Sequence, residues 1–571
     1  MATVHITTYA QLQAMQSSLA DDYILDNDID CSGEADFVPI AEGEGEVVAP
    51  FTGSFDGQGF TISNLRINWT TRNTDFATSR GLFGYCSGAT IQNINLDSPK
   101  MFSYEESGFI CGYALNCAFN DCHVTNAEYN GDSFDSCGGL IGYYKLTSAS
   151  DKNILDCSAE VNITCDELSL SITQLGGLIG FIQRSSGTNF INIDHCTSDF
   201  TLRNSAITDF SSDQLGGFIG GANTGIKITD CGCDIDIYLS GTSNASFAIS
   251  STGGFFGKMR TKSEVTKCHV TGTIVVLNDG DDDLGSFSEI GGFVGDTNGG
   301  QIAVVNTPDM IYRECFSTVD MNIEMNSGEW LGGFAGGADG NFNKCYYNGT
   351  ITFKTNACTN VAGFIASTTG DFIIITECYS KGDLNISTLR DVNNNGLGLD
   401  KIGGFVADLD GFLGSKVFNC YSRMNISISD ETGLDVSFLG VGGFYAVGNI
   451  YCVNNCYATG DIDIISPSNG IFAFELVGGF CGANDSILKN CFSVGIVTLN
   501  REFNAGTFNF DTVGGFVGDN AGTITNCAWF TDAYSLPFGN ESGTLESHGW
   551  GTDEDDNTLF YTTDHPVYNQ S

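Results

Sequence analysis

The residues of this 571-residue chain whose types and spacing could do chemistry are its 22 cysteines, because most of them recur at a regular interval. Thiolates bind zinc, and pairs of thiols form disulfides. One cysteine per repeat stands at an equivalent position: Cys122, Cys157, Cys196, Cys231, Cys268, Cys315, Cys345, Cys378, Cys420, Cys456, Cys491 and Cys527. On stacked parallel strands these side chains would lie within disulfide range, but they would point in one direction instead of toward each other. We therefore expect a buried column of reduced thiols that pack as small apolar groups.

Histidine adds little support for a metal site. Three of the six histidines adjoin these cysteines, as Cys122-His123, His195-Cys196 and Cys268-His269. Neighbouring residues of a strand point to opposite faces, so none of these pairs can share an ion. Cys231 and Cys233 could lie on one face, but two further ligands at matching spacing are missing. The sequence therefore does not predict a zinc site.

Acidic clusters are the other candidates for metal binding. Asp279, Asp281, Asp282 and Asp283 crowd one segment, and Asp553 to Asp556 form a second acidic run. Carboxylate oxygens are the ligands that Ca²⁺ prefers. Neither cluster has the twelve-residue spacing of an EF-hand, so a solvated loop is favoured and Ca²⁺ is retained as the one possible cofactor.

Catalytic residues do not stand out. Glycan-cleaving enzymes use paired carboxylates, or Ca²⁺ held by aspartate together with an Arg or Lys base. The 69 acidic residues are too abundant for any pair to be singled out, and the 23 Lys and Arg residues are spread along the chain. We predict no catalytic residue and no residue that binds an organic cofactor.

The element that must position these residues is a repeat that opens with Gly-Gly-Phe-x-Gly. Its starts follow one another at intervals of 30 to 41 residues from Gly138 to Gly514, with a degenerate copy at Ala362-Gly363. Each copy contains short apolar-polar alternations separated by Asn, Gly and Asp, which is typical of strands and lacks a helical period. Stacking such units pairs their backbone edges, so we expect an all-β, right-handed parallel β-helix of about 13 rungs, roughly 60 Å long.

The phenylalanine of each repeat is expected to stack on its neighbours in an interior column. The members are Phe218, Phe255, Phe293, Phe334, Phe364, Phe405, Phe444, Phe480 and Phe516. The glycine pairs before them would let the backbone turn sharply or approach the neighbouring strand closely.

This repeat resembles a known family. The copy from Val513 to Gly518, followed by Thr523-Ile524-Thr525-Asn526-Cys527, resembles the GLUG-motif repeat of bacterial adhesins and related surface and phage proteins. The segment from Pro50 to Leu65 resembles the N-terminal part of such chains, and the resemblance covers roughly residues 3 to 530. It implies a β-helical scaffold and a role in adhesion or at a surface.

Three segments are predicted. Residues 1–70 form an N-terminal cap with the first rungs, 71–530 the repeat, and 531–571 a C-terminal cap or tail. A short capping helix is expected from Tyr9 to Leu19, because Leu12, Met15 and Leu19 share a helical face. Long loops are expected just before Gly-Gly starts, at residues 168–173, 205–214, 277–288 and 389–400, where solenoids carry binding.

Charge and hydropathy exclude some partners. The net charge of −46 opposes binding to nucleic acid or to an anionic membrane. No run of 18 apolar residues is present, so membrane insertion is not expected. The first residues lack the basic and apolar regions of a signal peptide. Folding in a reducing cytosol also fits a chain with so many thiols.

The favoured interpretation is a non-enzymatic structural or adhesive protein on the surface or in a fibre of a bacteriophage virion. It would present loops to a cell-surface glycan or protein, or to neighbouring virion proteins, after folding in the host cytosol. A defined assembly such as a homo-oligomer is expected in that case. The alternatives are a bacterial cell-surface adhesin and a polysaccharide-cleaving β-helix enzyme.

Overall fold

The structure is a computed structural model in which most of the described residues belong to β-strands. It describes residues 3–43, 46, 48–69, 79–102, 105–148, 150–164, 168–184, 189–223, 225–260, 262–278, 285–297, 310–368, 373–388, 397–411, 414–429, 436–466, 471–501, 507–530, 538–541 and 544–550. The proposed calcium loop at Asp279 to Asp283 and the acidic run at Asp553 to Asp556 lie outside these residues.

One short α-helix lies near the N-terminus, at Tyr9–Ala14, and continues as a 3₁₀ turn at Met15–Ser17. Thr8 caps it by accepting a hydrogen bond from the Gln11 amide, at 3.3 Å. Leu12 and Met15 are buried as expected, but the helix ends before Leu19 because Ser17 and Ser18 are weak helix formers. Among the described residues, no helix is long and apolar enough to cross a membrane.

The chain forms two compact units. Unit 1 comprises Met1–Thr242 with Ala248–Ile274, and unit 2 comprises Ser243–Phe247 with Val275–Ser571. Two strands, Gly232–Gly253 and His269–Asn278, contribute residues to both.

Unit 1 is a stack of parallel strands. The strands that follow the Gly pairs, or their equivalents, are Phe83–Ser87, Cys111–Leu115, Ile141–Leu146, Ile179–Arg184, Ile219–Ala222 and Phe256–Met259. The other strands are Thr3–Ile6, Asp22–Leu25, Ile29–Asp30, Ser54–Asp56, Thr61–Ser63, Arg66–Ile67, Thr90–Asp97, Lys100–Phe102, Ser107–Gly108, Ala118–Asn130, Ser133–Phe134, Cys137–Gly138, Lys152–Leu155, Ser158–Thr164, Ser169–Gly176, Ile191–Asp194, Thr197–Gly216, Ile226–Thr229 and Ser263–Thr266.

Unit 2 repeats this arrangement. The strands after the Gly pairs, and the one that pairs with the last of them, are Val294–Asp296, Ala335–Ala338, Ile365–Thr368, Val406–Asp410, Tyr445–Asn449, Cys481–Asn484, Val517–Asn520 and Phe538–Glu541. The other strands are Ser286–Gly291, Met310–Arg313, Phe316–Glu324, Ser327–Gly332, Asn341–Asn343, Tyr346–Thr355, Ala357–Ala362, Ile374–Thr376, Tyr379–Thr388, Leu397–Gly403, Lys416–Phe418, Tyr421–Ser429, Val436–Gly442, Cys452–Asn454, Tyr457–Ala458, Ile462–Ser466, Ile471–Gly478, Ile487–Lys489, Phe492–Ser493, Val497–Arg501, Thr507–Gly514, Thr523–Phe530 and Thr544–Trp550.

Equivalent strands of successive repeats pair in parallel and in register, as Tyr379–Thr388 does with Tyr421–Ser429. The predicted all-β parallel β-helix is therefore confirmed. Pairing continues past residue 530, where Val517 pairs with Phe538 and Thr523 pairs with Thr544.

A left-handed residue precedes the cysteine of each rung and turns the chain at that corner. Its φ angle lies between 51° and 56° at Asp121, Asp156, His195, Asp230, Lys267, Glu314, Lys344, Glu377, Asn419, Asn455, Asn490 and Asn526. Asparagine and aspartate tolerate this conformation better than other residues with a side chain, which explains their abundance at this position.

The expected loops at residues 168–173 and 205–214 are wrong. These residues belong to the strands Ser169–Gly176 and Thr197–Gly216, which pair from Ser169 with Asp209 onward. Alternating side chains such as Leu170, Ile172 and Phe210 are buried, so the apolar alternation extends each strand instead of ending it. Of the other two predicted loops, residues 279–284 and 389–396 lie outside the described residues. Their ends at 277–278, 286–288 and 397–400 belong to strands, so the prediction is wrong there.

Candidate binding surface

The repeated cysteines lie in the interior as the Cys column, which is defined by the twelve residues given above. All twelve are buried, and no disulfide joins any of the described cysteines. The Cys345 amide donates to Cys378 Sγ at 3.3 Å, and Cys378 Sγ donates to the Thr376 carbonyl at 3.2 Å. Burial raises the pKa of the Cys345 and Cys378 thiols well above the usual range. Hydrogen bonds from Cys157 and Cys231 instead lower the pKa of Cys196 to about 4. In Cys420, burial is outweighed by hydrogen bonds from Cys378 and Cys456, which lower its pKa to about 5. All twelve side chains lie away from solvent, which is unfavourable for metal binding and nucleophilic chemistry.

The repeated phenylalanines also lie in the interior as the Phe column, and all are fully buried. In unit 1 the rings of Phe218 and Phe255 stack at 4.4 Å. In unit 2 the stack runs without a break from Phe293 to Phe516, with centroids 4.7 to 5.1 Å apart. Both columns stabilise the scaffold from inside, so any contact with another molecule must be made by outward-facing side chains.

One group among the described residues offers metal ligands. Donor atoms of Asp194, His195 and Asp230 lie within 4.8 Å of one another, and His195 and Asp230 are exposed. His195 points outward while Cys196 is buried, as the strand geometry predicts. Exposed carboxylates keep their hydration, so we assign no ion to this group.

A cluster on the outside of unit 1 holds a carboxylate with two donors. Glu46 accepts from Lys145 Nζ at 2.6 Å and from the Tyr113 hydroxyl at 3.0 Å. The hydrogen bond from Lys145, followed by that from Tyr113, lowers the pKa of Glu46. These hydrogen bonds join Glu46 to the strands that carry Lys145 and Tyr113. A carboxylate that is held in its ionised form is poorly suited to act as a general acid.

The most extensive outward feature of unit 2 is a row of aromatic rings, here called the outer aromatic column. Its members directly follow the cysteines and are Phe316, Tyr346, Tyr379, Tyr421, Tyr457 and Phe492. Neighbouring rings stack with centroids 4.7 to 4.9 Å apart and planes within 2° to 8° of parallel. The first five are half-buried, and Phe492 is buried. In unit 1 the equivalent positions hold His123, Ser158, Thr197, Gly232 and His269.

The rings of this column cover each other's faces, so solvent meets their edges and the four phenolic hydroxyl groups. Burial, followed by repulsion from Tyr346 and Tyr421, raises the pKa of Tyr379 to about 12. The hydroxyl groups therefore stay neutral at physiological pH and can both donate and accept hydrogen bonds. The resulting surface combines a rigid apolar base with a row of polar groups.

Polar side chains flank the outer aromatic column. Two residues after each ring stand Thr318, Asn348, Lys381, Arg423, Thr459 and Val494 in turn. Asn348 pairs with Lys381, and Lys381 pairs with Arg423, in the parallel register. The Arg423 guanidinium lies 5.0 Å from the Tyr421 ring centroid and donates to the Tyr457 hydroxyl at 3.4 Å. Two exposed cations thus occupy neighbouring register positions, and one of them, Arg423, contacts the tyrosines.

Sequence reasoning missed the outer aromatic column as a site, although the signal was present. A Tyr or Phe follows the cysteine in six successive repeats of unit 2, and residues on opposite faces of a strand alternate. An inward cysteine therefore implies an outward aromatic ring. The predicted calcium ligands at Asp279, Asp281, Asp282 and Asp283 lie outside the described residues and stay a prediction.

Comparisons with known proteins give limited matches. No family model matches the chain. A 112-residue stretch, 19% of this chain, is 38% identical to Halomucin from Haloquadratum walsbyi, and it spans 1% of that protein's length. A crystal structure from Bacteroides ovatus, described with the words "putative immunoglobulin A1 protease", aligns with 56% of this chain and 77% of its own at 16% identity. Its TM-score of 0.29 carries no argument about fold or activity.

Proposed function

We propose that this chain is a non-enzymatic structural and adhesive protein of a bacteriophage virion surface, and that it contacts the host surface through the outer aromatic column. The column carries the proposal because tyrosine and arginine are the residues most enriched at the energetic centres of interfaces. Stacking also holds the exposed ring edges and hydroxyl groups in place, so that a partner binds them at a small cost in side-chain entropy.

Two further observations bear on where the protein folds and where it acts. The repeated cysteines are buried and no disulfide joins the cysteines that the structure describes, which suits folding in a reducing cytosol before release. The likeness to part of a mucin-named protein fits a surface role, whether on a virion or on a cell envelope. The alternative that fits these observations best is a bacterial cell-surface adhesin.

Binding is tested by removing only the phenolic hydroxyl groups. The variant Tyr346→Phe/Tyr379→Phe/Tyr421→Phe/Tyr457→Phe keeps the rings and their stacking but removes four polar groups. We expect its thermal stability to stay close to that of the parent protein while binding of the labelled protein to host cells falls about tenfold. Tyr238→Phe, on the outside of unit 1, is the matched control and should bind as the parent does.

Location is tested by immunogold electron microscopy on a culture of the source organism. Gold on virus particles would support the virion role, and gold on cell envelopes would favour the adhesin. Release of soluble sugar fragments from cell-wall or capsular polysaccharide by the purified protein would instead favour a glycan-cleaving enzyme. Undiminished cell binding by the four-tyrosine variant would contradict the role of the outer aromatic column.

A further inference from the structure

We propose that Lys381 and Arg423, together with the tyrosine hydroxyl groups beside them, bind the carboxylate of an acidic sugar within an otherwise neutral glycan. This inference rests on the proposed function, because it names the ligand class of the same surface. Its starting point is the placement of two like charges on neighbouring strands.

Lys381 and Arg423 are direct partners in the parallel register, and both are exposed. Like charges placed opposite each other on paired strands repel, which destabilises the pair. Other lysines of unit 2 are neutralised, such as Lys354 by Glu324 at 2.9 Å and Lys401 by Asp408 at 2.6 Å. Among the residues that the structure describes, no carboxylate lies within 4.0 Å of the Lys381 or Arg423 side-chain nitrogens.

The carboxylate nearest to Lys381 along its strand, that of Asp383, already accepts a hydrogen bond. Asp383 Oδ1 accepts from Asn425 Nδ2 at 2.9 Å. Arg423 is held by the Tyr421 ring and the Tyr457 hydroxyl, which fixes its planar group in one orientation. A fixed guanidinium beside an ammonium group suits a planar carboxylate, and charge-assisted hydrogen bonds of this kind are the stronger ones.

The charge of the whole chain restricts the ligand further. A net charge of −46 repels a dense polyanion at long range. At physiological ionic strength, charges farther away than about 8 Å are largely screened, so an isolated carboxylate meets mainly the local cation pair. Neutral sugar rings on either side would meet the hydroxyl groups of Tyr346, Tyr379 and Tyr457. A glycan with spaced acidic sugars therefore fits this surface better than a sulfated or uniformly anionic chain.

The test uses the full chain and two probes that differ in one group. One is a tetrasaccharide with a single glucuronate, and the other is the same compound with its carboxyl group reduced to an alcohol. By calorimetry at about 50 mM salt, we expect the acidic compound to bind the parent protein about fivefold more tightly. Lys381→Gln/Arg423→Gln should remove this preference and leave the weaker binding of the reduced compound unchanged.

The matched control is Arg313→Gln/Lys489→Gln, which removes two exposed positive charges elsewhere in unit 2. It should keep the preference for the acidic compound. Equal affinity for both compounds, loss of the preference in the control, or tighter binding of an acidic peptide or a sulfated polysaccharide would overturn the inference. If only this preference is absent while the four-tyrosine variant still loses cell binding, the proposed function stands and the assignment of the ligand fails.

Discussion

At the scale of the residue, the position of a cysteine within its rung decides its environment. Cys378 follows the left-handed residue Glu377 and is fully buried. Cys452 lies on the strand that precedes the corner at Asn455 and is only half-buried. The two thiols have the same chemistry, so any difference between their variants reports the packing of the Cys column.

Replacing Cys378 with serine should therefore destabilise the protein, whereas Cys452→Ser should not. A hydroxyl group is smaller and more polar than a thiol, and burying it in the column should lower the free energy of unfolding by about 2 kcal/mol. The urea midpoint of purified protein measures the effect. Equal midpoints for the two variants would show that burial in the column does not determine the cost.

At the scale of the element, the second glycine of each pair permits the close approach of neighbouring rungs. A Cβ atom at Gly404 would lie 2.1 Å from the Gly443 carbonyl oxygen, and one at Gly443 would lie 2.2 Å from the Gly479 carbonyl oxygen. A backbone oxygen cannot move aside without shifting its own rung. The glycine pair is thus a packing requirement of the stack.

Gly404→Ala should consequently destabilise the protein by about 3 kcal/mol, since the extra methyl group forces two paired strands apart. Gly398→Ala is the matched control, because a Cβ atom there meets no other atom within 4 Å. Thermal unfolding of the two variants compares a crowded and an open glycine six residues apart. Equal melting temperatures for the two variants would contradict the role of the close contact, because the loss of backbone freedom in the unfolded chain acts on both variants alike.

The same elements show how much the sequence could predict. A unit that recurs along the chain predicts that its copies stack on one another. The parallel β-helix and its inward-facing residues therefore follow from the positions of Gly-Gly-Phe and Cys. The sequence predicts a loop at residues 205–214 because Ser and Asp, which are typical of turns, recur there. These residues continue the strand Thr197–Gly216, since that segment pairs with the neighbouring strand Ser169–Gly176. The contact between Arg423 and Tyr457 was not predictable, since it joins side chains of different rungs 34 residues apart.

At the scale of the whole molecule, the balance of 69 acidic and 23 basic residues dominates the electrostatics. Repulsion among the carboxylates is stronger in the compact state than in the extended unfolded chain. Added salt screens this repulsion. Salt should therefore stabilise the fold, and the effect needs no bound ion.

We expect the melting temperature to rise by several degrees between about 10 mM and about 0.5 M NaCl, the range over which the screening length falls from about 30 Å to below 8 Å. If Ca²⁺ acts only by screening, CaCl₂ and NaCl should give the same curve when plotted against ionic strength. An additional rise that saturates at low Ca²⁺ concentration would contradict this and indicate a specific site. The variant Asp279→Asn/Asp281→Asn/Asp282→Asn/Asp283→Asn then locates it: loss of the saturating rise would assign Ca²⁺ to this acidic segment, whereas its persistence would place the ion elsewhere.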